Sequence, residues 1–132
     1  MIINFLIIIQ EKMEQNREEQ KEALETLIEF NQRLVKNMNI IVKELSGQRL
    51  DDTDKFLKSI LDAINWEVQV MNGTMDLLNE AKERINKEEF NSKITELSTA
   101  LKEKDDVKQA AAIQNLIPSF ELLEAAAREV IA

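Results

Sequence analysis

Between Asp51 and Ile85 the apolar residues Leu57, Leu61, Ile64, Val68, Met71, Met75, Leu78 and Ile85 recur at alternating four- and three-residue steps, interrupted only where Lys82 takes the next expected place. That spacing is a helical seam about five heptads long. A continuous helix of this length would run about 52 Å at ~1.5 Å per residue, and its one apolar stripe needs other helices to cover it. The chain is therefore expected to be all-α: an antiparallel helical bundle of three to five helices with long coiled-coil-like seams.

The scarcity of chain breakers supports this. Two glycines and one proline in 132 residues fall well below the usual ~7% and ~5%, and good helix formers dominate. A chain of this length suits one core. The expected organisation is an apolar N-terminal segment plus a polar helical stalk or arm over residues 1–22, then a bundle domain over 23–132.

Met1 to Ile9 reads MIINFLIII. Nine helical residues would span only about 14 Å of a hydrocarbon layer roughly 30 Å thick, so no membrane crossing is expected. The basic start and cleavage site of a secretory signal are missing, and a cytoplasmic protein is expected. Glu14 to Glu22 has no apolar residue and cannot join a core. From Ala23 to Leu45 a broad apolar face returns, with Asn31 where a seam residue is due. Asn31 is either a seam-edge amide or a buried one that fixes register.

Gly47 suits a left-handed helix closure, and the short connection after it turns the next helix back antiparallel. Asp51, Asp52 and Thr53 offer oxygens for the new start. The pair Asn72 and Gly73 sits inside the long seam, which keeps phase across it, so one continuous helix is expected there. A close neighbour at Gly73, or a turn dividing the helix, are the two ways to explain the glycine. Asn86 with Glu89 resembles a capping box before Phe90, Ile94, Leu97 and Leu101. Asp105 can cap the last stretch, in which Val107, Ala110, Ala111, Ile113, Leu116 and Ile117 lead to Pro118. A kink or break is expected at the proline.

The exclusions are as informative as the pattern. Histidine and cysteine are absent, which removes the commonest general base, thiolate chemistry and the Glu-x-x-His pairs of dimetal bundles. No catalytic, cofactor or metal residue is nominated. Glu67, Asp76 and Glu80 are the nearest thing to an acid cluster and read as a solvated face. Twenty-five acidic against seventeen basic side chains give a net charge of −8 spread along the chain, which repels phosphate and argues against nucleic acid. The acidic residues after MIINFLIII argue against an anionic membrane surface.

What remains is protein contact. Small size, acidity and helical make-up are similar to the general profile of bacterial secretion and flagellar export chaperones, with no motif to make it a family. The expected function is a non-catalytic interaction module, a chaperone or adaptor for a partner protein such as an amphipathic helix. The alternative is a self-assembling homodimer strapped by its apolar N-terminus; a helical enzyme or small-ligand protein ranks last. Candidate contact residues are Ile2, Ile3, Phe5, Leu6 and Ile9 at the N-terminus, and Met38, Trp66, Met71 and Met75. The methionines are flexible enough for either a core or an adaptable groove. Trp66 lies off the seam, set against a third helix or exposed as an anchor.

Overall fold

The computed structural model describes the backbone of residues 2–132 and the side chains of residues 16–132. Within these bounds every regular element is helical: α1 (Ile2–Leu45), α2 (Thr53–Gly73), a single turn α3 (Met75–Leu78), α4 (Lys87–Glu103) and α5 (Asp106–Ile131). The hub is α1, which packs on both α5 and α2, while α5 also packs on α4 and α3.

Side-chain pairs give the directions. Along α1 and α2, Glu44 meets Thr53, Phe30 meets Trp66, and Arg17 pairs with Glu80 just past α3. As one number falls the other rises, so the helices are antiparallel. Arg49 holds Asp106 at one end while Asn31 reaches Phe120 and Glu124 further along, so α5 is antiparallel to α1 as well. Gln109 bonds the Ala100 carbonyl and Phe90 stacks on Phe120, which sets α4 antiparallel to α5. The expected antiparallel all-α bundle is what forms.

The helix starts follow local chemistry. Asn86 Oδ1 accepts from Glu89 N at 3.0 Å, and Asp105 Oδ1 from Lys108 N at 3.2 Å, each satisfying an amide that the first turn leaves unpaired. At α2, of Asp51, Asp52 and Thr53, the side chain that bonds is Thr53, while Asp52 at the cap position makes no such bond. Thr53 Oγ1 accepts from Leu50 N at 2.8 Å and donates to Glu44 Oε1 at 2.7 Å, tying the new helix to the old one. Arg49 clamps the same corner, donating twice to Asp106 (2.6 and 2.9 Å) and once to Asp54 (2.9 Å). Its guanidinium holds the Asp106 carboxyl below its ordinary range.

The polar stretch before Ala23 is helical, part of the unbroken α1, and from Asn16 to Glu22 its side chains are exposed or half-exposed. Three other expectations need correcting. The helix from Asp51 to Ile85 is not continuous: α2 ends at Gly73 and the chain leaves regular structure after Leu78. Thr74 Oγ1 donates to the Val70 carbonyl at 2.7 Å, and Thr74 N reaches back only three residues, to Met71. That local bonding competes with the helical ladder. Asn79 then replaces the helix by holding the loop: its Oδ1 accepts from Arg84 N and Ile85 N, both at 2.9 Å, and its Nδ2 donates to the Ile85 carbonyl at 3.0 Å. Ile85 stays buried from within a loop.

The second concerns Pro118: of the kink or break expected there, the break does not occur, and α5 runs through the proline. Pro118 and Gln114, whose carbonyl the ring deprives of a donor, both face solvent, where water can serve instead. The third is Val107, 73% exposed and not on the buried stripe; Ala111 is exposed too.

The two glycines make opposite predictions. Gly47 has φ 110, a conformation that costs an L side chain about 1 kcal/mol. Gly73 has ordinary φ, and a Cβ built there meets nothing within 4 Å, so no close neighbour explains it. Urea unfolding should show Gly47→Ala less stable by about 1 kcal/mol and Gly73→Ala more stable by about 0.5 kcal/mol.

Candidate functional site

The core is built from one row of each long helix. Leu24, Leu27, Leu34, Met38, Ile41 and Leu45 of α1 face Leu57, Ile60, Ile64 and Met71 of α2 and Ile113, Leu116, Phe120, Leu123 and Ala127 of α5. Along α2 and into the turn that follows it, the buried row is Leu57, Ile60, Ile64, Glu67, Met71 and Thr74, while Leu61, Val68 and Met75 are only half-buried. The seam is thus turned by one residue at every second step from the purely apolar one. A carboxyl stands in the core where valine was expected.

Glu67 is 1% exposed, and neither carboxyl oxygen has a hydrogen-bond partner. This overturns its assignment to a solvated face; Asp76 and Glu80 do lie in solvent. Burial, and secondarily the negative charge of Glu124, push the Glu67 carboxyl up to about 8. It is therefore mostly neutral at pH 7, which is how an unpaired buried acid avoids the cost of charge.

Asn31 stands at the same level of the bundle. It is 1% exposed, so it is the buried amide of the two alternatives. Its Nδ2 donates to the Phe120 carbonyl at 3.1 Å and to Glu124 Oε1 at 3.2 Å, while its Oδ1 has no partner. Glu124 is held from its other oxygen by Arg128 at 3.1 Å. The layer of Asn31, Glu67 and Glu124 is consequently rich in acceptors and poor in donors, with one contributor from each of α1, α2 and α5.

Above Glu67 a cleft of about 360 Å³ opens between α1 and α2, lined by Phe30, Arg33, Leu34, Ile60, Ala63 and Trp66 among others, with Glu67 in its wall. Phe30 and Trp66 meet edge to face at 5.6 Å, and Arg33 sits 5.8 Å over the Phe30 ring. Phe30 is 49% and Trp66 38% exposed. A half-exposed tryptophan beside an apolar cleft is the kind of side chain that anchors a protein contact.

The sequence candidates fall in three places. Trp66 is on this cleft. Met38 and Met71 are fully buried and Met75 half-buried against the core, where they fill space between helices. The side chains of Ile2, Ile3, Phe5, Leu6 and Ile9 lie outside the described residues. Phe30 and Glu67 are the site residues that sequence reasoning missed. Phe30 could have been noticed as an aromatic placed off the apolar face of its helix; nothing local marks Glu67 as buried.

A family model for a domain of unknown function, DUF8042, matches residues 22–126. The chain belongs to the DUF8042 family. The match begins where the polar stretch of α1 gives way to its core-facing part and spans the whole cleft and the acceptor layer. No curated protein and no solved structure matches the chain. Among the described residues no helix is long and apolar enough to cross a membrane, and no group of three or more acidic, histidine or cysteine side chains is placed to hold a metal.

Proposed function

We propose that this DUF8042 protein is a non-catalytic interaction module, a chaperone or adaptor that holds a partner protein in the α1–α2 cleft. The observation that carries the reading is the half-exposed Phe30 and Trp66 pair over an apolar cleft. Leu34, Ile60 and Ala63 supply an apolar floor between two rigid helices, a shape suited to the apolar face of an amphipathic segment. The acidic surface favours a partner of the opposite sign. A cytoplasmic setting, as expected from the sequence, belongs to the same reading.

The test is co-purification from native cells. Wild type and a Val107→Asp control should retain the same partner, and Phe30→Asp with Trp66→Asp should lose it while keeping the helical circular dichroism spectrum. Identical recoveries from wild type and the double variant would overturn the reading.

A second reading has one observation of its own. At 44 residues α1 is much longer than α5, at 26, or α2, at 21, an excess over α5 of about 27 Å of helix. A second copy would offer that excess a place to pack, as the strapped homodimer requires. Light scattering on the full chain should then give a dimer mass; a monomer at every concentration would sink this alternative.

A further inference from the structure

We propose that the α1–α2 cleft is a receptor for a lysine: the partner segment lays apolar side chains between Phe30 and Trp66 and extends one primary ammonium to Glu67. This inference rests on the docking reading and adds the chemistry that would select the partner. Two features converge on it. The cleft is apolar over most of its wall, yet Glu67 stands in that wall, and both of its carboxyl oxygens, buried just behind the surface, lack any partner. The chain carries a net charge of −8, which attracts a cationic segment from a distance.

A lysine meets these demands in one side chain. Its four-carbon stem lies against apolar groups, and its ammonium brings three donors and no acceptor. The Glu67 carboxyl offers an arginine fork its two coplanar acceptors, so what favours lysine is size: beside a carboxyl only 1% exposed, a compact ammonium on a flexible stem needs less room than a rigid planar guanidinium. The charged groups that face Glu67 are Glu124 from α5, which is itself paired with Arg128, and Arg33 from α1 at the rim of the cleft; the rest of the α2 wall, including Ser59, Ile60, Ala63 and Trp66, is uncharged. At pH 7 the free acid is mostly protonated, so forming the ion pair transfers the Glu67 proton to solvent while the ammonium keeps its own three. Binding is then coupled to the release of nearly one proton.

Trp66 is the only tryptophan and sits on the cleft, which makes its fluorescence a direct reporter. The full-length protein is titrated with n-hexylammonium chloride, 1-hexanol and n-hexylguanidinium chloride, and the heat of binding is measured in buffers of different ionisation enthalpy. Hexylammonium should saturate the Trp66 signal at roughly tenfold lower concentration than hexanol at pH 8.5, the gain expected of a charge-assisted bond in an enclosed site. Its affinity should rise about tenfold between pH 7 and 9, as Glu67 goes from about one-tenth to about nine-tenths ionised while the amine stays charged. Glu67→Gln should bind hexylammonium and hexanol alike.

Equal binding of the two probes by wild type, or no proton release at pH 7, would overturn the ammonium site while leaving an apolar cleft able to dock a partner. Tighter binding of hexylguanidinium would overturn lysine in favour of arginine. Failure of every probe to saturate would also overturn the ammonium site, and the docking reading would still stand or fall on co-purification, which does not depend on Glu67.

Discussion

Between pH 5 and pH 8.5 the protein should lose about 3 to 4 kcal/mol of stability that Glu67→Gln does not lose. The sign follows from proton counting. Glu67 ionises at about 4.5 when unfolded and at about 8 when folded, so between those values the folded state holds one more proton than the unfolded state. Stability therefore falls as pH rises, at a slope approaching 1.4 kcal/mol, roughly, per pH unit. The contribution is fully present below pH ~4.5 and gone above pH ~8, where both states have lost the proton. Net charge also changes over this range, so the quantity to read is the difference between wild type and Glu67→Gln in urea midpoints taken at constant slope. Glu67→Leu should go further and exceed wild type at pH 8 by about 3 kcal/mol or more, because an unpaired buried acid is replaced by a packed apolar side chain. Curves for wild type and Glu67→Gln that run parallel across the range would contradict the buried, neutral acid.

Phe120→Ala should cost about 3 to 5 kcal/mol, a large share of the 5 to 15 kcal/mol, roughly, that holds a domain of this size. Phe120 is fully buried, stacks on Phe90 at 5.2 Å with the rings 79° apart, and lies on the one helix that touches both α1 and α4. Truncation removes its area from the core and leaves a cavity that α1, α4 and α5 cannot all close. Leu122→Ala, two residues on and 54% exposed, should change stability by less than about 0.5 kcal/mol. Equal costs for the two would mean that α5 does not present Phe120 to the core.

Helix periodicity made the fold legible. The caps at Asn86 and Asp105, the closure at Gly47 and the antiparallel return after it all rest on local chemistry, and local chemistry was readable. The end of the long seam was half-readable: Lys82 interrupts the pattern, and the helix has already ended before it, at Leu78. Thr74 and Asn79 end it through bonds to specific carbonyls and amides, which periodicity does not register.

The site was harder, because two adjacent rows compete on α2. Leu61, Val68 and Met75 form an apolar row; Ile60, Glu67 and Thr74 lie one residue before each of them. Pattern alone selects the apolar row, yet packing against α1, which brings Glu67 near Glu124 of α5, turns the other one inward. Placing a glutamate in the core required knowing which side of α2 meets α1. The same geometry brings Phe30 of α1 opposite Trp66, a pairing between residues that each look like isolated surface aromatics in sequence.

The most direct measurement is the ionisation of Glu67 itself, followed by carbon-13 NMR of its side-chain carboxyl in the full-length folded protein from pH 4 to 9. A buried acid without a partner predicts a midpoint near 8 for Glu67, and a shift of that midpoint downward when hexylammonium fills the cleft. A midpoint near 4.5 would contradict it: Glu67 would then be solvated, and the acceptor layer, the pH-dependent stability and the ammonium receptor would fall together.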